Sequence, residues 1–268
     1  MHMLTVDHFV PLADLCNRSL LCPEPAYRGL VSVIFTMSAP MKFIKPSVPV
    51  LRPAPPTGKG WLHEVKMDGY RLQLHKSGED VALFTRRGAL VTNRFEVIAR
   101  ALARIPAKSV VFDGELTALN DHGLPEFTAL HLRRSDNLCV WVFDILEHNG
   151  SDLRPVPLTG RRAQLAKLIG KSADRIQMLE TFEDPRRLLE VCNEQRLEGI
   201  VSKRADAPYK SGRTPTWVKV KSETWREENR DRYELFQSID DQEPRARSSV
   251  AQQTVPPRAS RGVLLQKR

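Results

Sequence analysis

Cysteine is scarce in this 268-residue sequence and carries no pattern. Cys16, Cys22, Cys139 and Cys192 form no C-x-x-C pair, and no histidine stands at zinc-ligand spacing from them. That excludes a zinc module and leaves reduced thiols, with Cys139 and Cys192 read as small core residues. Long apolar runs are also missing. The longest, Gly29 to Met37, falls far short of the ~20 residues that a membrane span needs. The chain does not open on a basic segment followed by a clean apolar one, which argues against secretion. Residues 1–40 lack a sustained period, and Met37 and Met41 are alternative starts; the stretch beyond Gln237 is mostly Gln, Arg, Ser and Pro. Disorder is predicted for both stretches.

What is present is an ordinary globular composition, 41% hydrophobic and 27% charged, in a chain long enough for a substantial core. The formal net charge is +9. Such a surplus fits a polyanionic partner, whose counterions are released on binding, and it equally fits a basic surface kept for solubility.

Along the chain, Pro46, Pro49, Pro53, Pro55 and Pro56 predict an extended strap over the surface. Residues 61–66, 70–76 and 80–85 alternate apolar and polar side chains with tight turns between them, predicting antiparallel neighbours. Asn93 is placed to cap a helix running to Ile105. Ser109–Phe112 and Glu115–Leu119 read as strands around a turn at Asp113-Gly114. The nearly unbroken apolar run Leu138–Leu146 reads as a fully buried strand. Helices are predicted over Leu158–Ile169 and Pro185–Leu197, and short strands over Gly199–Lys203 and Thr216–Lys221. Hairpin-like junctions favour an α+β fold of antiparallel β-sheets flanked by helices over a doubly wound parallel sheet. The expected division is an N-terminal extension (1–40), one domain (41–221), a charged helix (222–236) and a tail (237–268).

The segment Glu64-Val-Lys-Met-Asp-Gly-Tyr-Arg71 sets a lysine inside K-x-D-G-x-R, a pattern that chance supplies in about one window in 10⁵. Lysine, with a pKa of ~10.4, is ordinarily protonated and inert. Burial or neighbouring cations such as Arg71, Lys219 and Lys221 would make Lys66 a nucleophile. The plainer reading is a surface lysine on a hairpin. Other segments add to the first reading. Glu115 follows the expected turn, Phe143 lies within the apolar strand, and Glu198 and Lys203 flank a short strand. Lys219 and Lys221 share one strand face by alternation, which suggests an anion there. Taken singly, these are turn carboxylates, core packing and a solvated strand face.

Together the ordered motifs between Glu64 and Lys221 resemble the covalent nucleotidyltransferases: ATP-dependent DNA ligases, RNA ligases and mRNA capping enzymes. With Trp61-Leu-His-Glu64 before the lysine, the resemblance points to bacterial ATP-dependent DNA ligases of the end-joining type. It implies a ligase-type adenylation domain that acts in DNA repair and recombination. Lys66 would attack the α-phosphorus of ATP and form lysyl-AMP. Glu64 would receive the adenine amino group and Phe143 would stack on the base. Glu115 would hold the ribose, with Arg71 and Arg86 near the ribose and a DNA 5′-phosphate. Lys203 and Arg213 match further nucleotide-binding positions. Glu198, with Glu115, is the candidate ligand for Mg²⁺ or Mn²⁺, and Lys219 and Lys221 would neutralise the α-phosphate. The resemblance also implies nicked or broken double-stranded DNA as substrate, a Ku-like end-binding partner and a cytoplasmic, nucleoid-associated location. Only 47 residues follow Lys221, without five-strand patterning, so the OB-fold domain usual in these enzymes is expected to be absent or supplied by a partner. An RNA ligase, a GTP-using capping enzyme and a non-catalytic DNA-end-binding protein are the alternative expectations.

Overall fold

Between Lys66 and Gly69 the chain changes sheets. In the computed structural model, which describes residues 41–120, 130, 137–169 and 175–230, strand β1 spans Ser47–Leu51, β2 Trp61–Val65, β3 Tyr70–Ser77 and β4 Asp80–Thr85. Helix α1 (Glu96–Ala103) precedes β5 (Ser109–Ala118), β6 (Leu138–His148), β7 (Ser151–Asp152) and α2 (Leu158–Ile169). Then follow β8 (Ile176–Met178), α3 (Pro185–Glu194), β9 (Gly199–Arg204), β10 (Gly212–Lys221) and α4 (Glu223–Glu228). Among the described residues two sheets form, one in the order β1-β10-β9-β2 and one in the order β4-β3-β5-β6-β7, with β8 beside β6.

The expected α+β architecture is present, with several corrections. Strands β2 and β3 are not a hairpin: β2 pairs with β9, whereas β3 pairs with β4 and β5. The crossover needs a backbone without a side chain at Gly69, where a Cβ would lie 2.1 Å from the carbonyl oxygen of Leu116. Asp113-Gly114 is no turn either. It lies inside the continuous strand β5, where two irregularities in the β5–β6 register bend the pair. Asn93 does not cap a helix; a 3₁₀ turn spans Thr92–Arg94, and α1 starts after Phe95 without a side-chain cap. The proline-rich strap is partly ladder, since β1 pairs in parallel with β10 at the sheet edge, where Pro49 is tolerated. Helix α3 ends at Glu194, three residues before Leu197, and starts on an Asp184 cap with Pro185 at its first position.

Two apolar clusters explain why β6 reads as an unbroken run. One, with Leu72, Leu74, Phe112, Val140 and Val142, packs under α1 and α2. The other, with Val65, Trp141, Phe143, Ile200, Trp217 and Val220, fills the space between the sheets and under α3. Both faces of β6 are thus covered. Cys139 and Cys192 are buried free thiols, as expected, and burial pushes the Cys192 thiol up to about 12. The predicted extension (1–40), the tail (237–268) and the charged segment beyond residue 230 lie outside the described residues. The described part of the charged helix is α4. It is capped by Ser222, whose hydroxyl accepts from the Trp225 N–H, and anchored by the buried Trp225.

Candidate active site

The register of three strands builds one functional face. Glu64 stands opposite Val201 and Val65 opposite Ile200, and the next residue, Lys66, donates its backbone N–H to Gly199 O at 2.8 Å. On the other side of β9, Lys221 stands opposite Gly199, Lys219 opposite Val201, and Trp217 opposite Lys203. Alternation therefore puts Glu64 and Lys66, Val201 and Lys203, and Trp217, Lys219 and Lys221 on the same face.

Glu198 ends the approach to β9 and reaches both lysines. One of its oxygens accepts from Lys66 Nζ and the other pairs with Lys221 Nζ. Gly199 makes this possible. Its φ is +137°, and a Cβ there would meet Val220 O at 2.1 Å, so only glycine fits between the carboxylate and the next strand. The Lys66 side chain is 22% exposed at this junction. Burial pushes the Lys66 amine below the ordinary lysine range; Glu115 and Asp68 oppose this, and Arg71 and Arg86 add to it. The sequence expectation named Lys219 and Lys221 as the cations beside Arg71. Lys221 is instead on Glu198, and Arg86, exposed after β4, joins Arg71 in depressing the amine. Burial likewise pushes the Glu115 carboxyl up to about 7, against the pull of Lys66 and Arg71. Glu115 is half-buried within β5 and opposite Arg71, not exposed beside a turn.

Phe143 owes its position to a bulge. The register passes from Asp113–Asp144 directly to Gly114–Val142, leaving Phe143 unpaired and re-aimed. Its ring lies edge-on to Trp217, centroids 5.9 Å apart. Lys203 Nζ sits 4.1 Å from the Phe143 ring centroid and 4.3 Å from that of Trp217. It also forms a 2.5 Å ion pair with Glu64 Oε2 that is off hydrogen-bond geometry. Burial lowers the Lys203 amine while Glu64 opposes the shift.

Arg71 is held rather than free. Its Nε and Nη2 donate to Asp113 at 3.0 and 2.7 Å, and Nη1 donates to Ser47 O at 2.6 Å. Tyr209 Oη donates to the same carboxylate at 2.6 Å and accepts from the Ser47 N–H at 2.9 Å. This network joins β1 to β3 and β5. The guanidinium still lies 5.2 Å from the Phe143 ring centroid, at the edge of the site. Arg213 is exposed on β10, opposite Val48. Sequence reasoning passed over Asp113, Tyr209, Trp217 and Arg162. Trp217 was readable, because it shares the strand period of Lys219 and Lys221. Asp113 was misread as a turn residue, and nothing in the sequence marks Arg162 as buried.

The arrangement is a depressed lysine beside two carboxylates, further cations, and a buried aromatic pair that Lys203 joins to a buried glutamate. Such a site can attack an electrophilic phosphorus and hold a base. Among the described residues, no three His, Cys, Asp or Glu side chains form a metal cage. Mg²⁺, however, is commonly held by one or two carboxylates plus substrate phosphates. A carboxyl pushed up by burial, such as Glu115, gains from a nearby cation, so Glu115 fits that mode; Glu198, with both oxygens on lysines, fits it only by exchanging one of them for the ion. No helix among the described residues is long and apolar enough to cross a membrane.

Comparison with known proteins agrees. The family described as "ATP dependent DNA ligase domain" matches residues 52–221. The chain is 38% identical over 186 residues to the multifunctional non-homologous end joining protein LigD of Pseudomonas aeruginosa, covering 67% of this chain and 22% of that protein. It thus spans less than a quarter of that relative. Among solved structures, a mycobacterial DNA ligase D complexed with ATP and MES superposes with a TM-score of 0.58 at 30% identity, covering 66% of this chain and 59% of that one. The ligase domain of Mycobacterium tuberculosis LigD superposes with the same TM-score and identity, covering 66% and 60%.

Proposed function

The chain belongs to the ATP-dependent DNA ligase domain family, and from that premise we propose that it seals nicks or breaks in double-stranded DNA through a lysyl-AMP intermediate. The observation that carries this reading is the Lys66 amine, depressed by burial and set beside Glu198, Lys221 and Glu115. Deprotonated Lys66 Nζ attacks the α-phosphorus of ATP. A P–N bond forms, the bond to pyrophosphate breaks, and Nζ sheds a proton to solvent. Lys219 and Lys221 balance the charge that builds on the phosphoryl oxygens, where phosphoryl transfer gains most. Glu64 accepts from the adenine amino group, Phe143 stacks on the base, and Lys203 and Arg213 serve the nucleotide. Glu115 holds the ribose, and Arg71 and Arg86 lie towards the ribose and the DNA 5′-phosphate.

The AMP then moves from Lys66 to that 5′-phosphate. The neighbouring 3′-hydroxyl attacks the activated phosphorus, and AMP leaves. Glu115 would hold the Mg²⁺ (or Mn²⁺) with Glu198, once Glu198 gives up one of its lysines, and the ion would supply Lewis-acid neutralisation of phosphate charge. The end-joining relative supports a break-repair setting, and a Ku-like end-binding protein is the partner we propose for it. The test is to load the protein with α-labelled ATP and Mg²⁺, then chase with nicked duplex. Transfer of label to a 5′-phosphate, followed by a sealed strand, supports the reading. Loaded protein that never passes AMP to DNA overturns it.

A further inference from the structure

Arg162 leaves α2 for the space between the sheets, where it is 1% exposed. Its Nη1 donates to Glu64 Oε1 at 2.7 Å and lies 3.5 Å from the carbonyl oxygen of Phe143. Its Nη2 donates to the carbonyl of Leu179, just beyond β8, at 2.5 Å. One planar guanidinium thus ties the β2 carboxylate to the backbone of the β6 bulge. The planar guanidinium holds its three acceptors in fixed relative directions, which an ammonium cannot do; Glu64 takes a single nitrogen of it on Oε1, and Lys203 Nζ pairs with Oε2. The neighbouring Arg161 does something else. It pairs with Asp144 at 2.7 and 2.9 Å and donates to the carbonyls of Val156 and Ala207.

We infer that Arg162 is the positioning residue of the adenine site, holding the Glu64 carboxylate and the Phe143 bulge in the arrangement that selects ATP over GTP. The inference rests on the ligase reading, which assigns Glu64 and Phe143 to the base. Adenine presents an amino donor where guanine presents a carbonyl acceptor. A fixed carboxylate accepts from the first and repels the second. A carboxylate free to swing discriminates less.

The test compares initial rates of AMP and GMP adduct formation, by intact mass across ATP and GTP concentrations, in the full chain and its variants, with a melting curve for each. Arg162→Gln should raise the KM for ATP about tenfold with kcat held within about threefold, and narrow the ATP:GTP preference about tenfold. Arg162→Lys keeps the charge without the fork and should recover part of that loss. Because Arg162 acts through Glu64, Arg162→Gln in a Glu64→Gln background should change the preference less than about twofold. Arg161→Lys, as control, should lower the melting temperature without moving the preference. A folded Arg162→Lys or Arg162→Gln protein with the wild-type KM and preference overturns the inference. So does an equal effect in both backgrounds. If Arg162→Gln does not fold, Arg162→Lys decides. A wild-type chain that forms no adduct with either nucleotide overturns the ligase reading itself, a result distinct from normal selection in the Arg162 variants.

Discussion

The backbone N–H of Lys66 donates to the carbonyl of Gly199 at 2.8 Å. That bond continues the β2–β9 ladder one residue past the strand and sets Lys66 beside Glu198. On the far side of β9 the same glycine faces Lys221. Lys66, the Glu198 carboxylate and a second lysine are therefore brought together by strand register at the ends of β2, β9 and β10.

Gly199→Ala should dismantle this junction. The added Cβ meets Val220 O at 2.1 Å and Lys221 Cα at 2.8 Å, at a φ of +137°. A loss of at least about 3 kcal/mol is expected from backbone strain and overlap together. Urea titration of the variant checks it, and a midpoint equal to wild type would show that β9 and β10 can part at no cost.

Arg161 and Asp144 are both fully buried and paired in parallel. Removing one partner leaves a charge stranded between α2 and β6, so Arg161→Ala should cost about 3–5 kcal/mol. Asp144→Asn, which keeps an acceptor for the guanidinium, should cost less. Equal losses in the two variants would mean that the Asp144 charge, not packing or the retained acceptor, dominates there.

Stability should fall on acidification from about pH 6.5 towards pH 4. Burial holds His63 and His75 near a pKa of about 4, Asp184 opposing the shift at His63, against 6.5 for the free side chain. Between those values the unfolded chain binds more protons at the two histidines and fewer at Glu115, so on balance stability rises with pH up to about 6.5. His75 packs edge-on to Phe84 and hydrogen-bonds Gln73 Oε1 at 3.1 Å. His75→Leu should remove part of the acid sensitivity, on the order of 1–3 kcal/mol across that window. Melting temperatures at pH 7 and pH 4.5 test this, and an undiminished drop in the variant would exonerate His75.

Affinity for nicked duplex should be strongly salt-dependent, given a net charge of +9. Each phosphate contacted adds about 0.9 to the slope of log affinity against log salt, so a fall of at least about tenfold is expected between about 50 and 200 mM. Fluorescence anisotropy with labelled duplex measures it. A flat salt response would assign the basic surplus to solubility.

The fold class and most strands were legible because alternation and the continuous run of β6 reflect burial on one face or two. Strand partnership was not. The segments holding His63 and Leu74 look like hairpin partners, yet Gly69 carries the chain to a second sheet whose other members lie far along the sequence. Phe143 was legible as a residue but not as a direction, since a bulge breaks the period-2 rule at that point. The motif residues Lys66, Glu198 and Lys221 were readable as a set, and their ion pairing was not. Buried cations were the least readable, because Arg161 and Arg162 sit in a helix whose pattern gives them no mark.

The decisive measurement is intact mass of the purified chain and of Lys66→Ala after incubation with Mg²⁺ and either ATP or GTP. A single AMP adduct from ATP in the wild type, absent from a variant with an unchanged melting curve, is the expected result. An adduct that persists on Lys66→Ala would place the nucleophile elsewhere and contradict the mechanism built on Lys66.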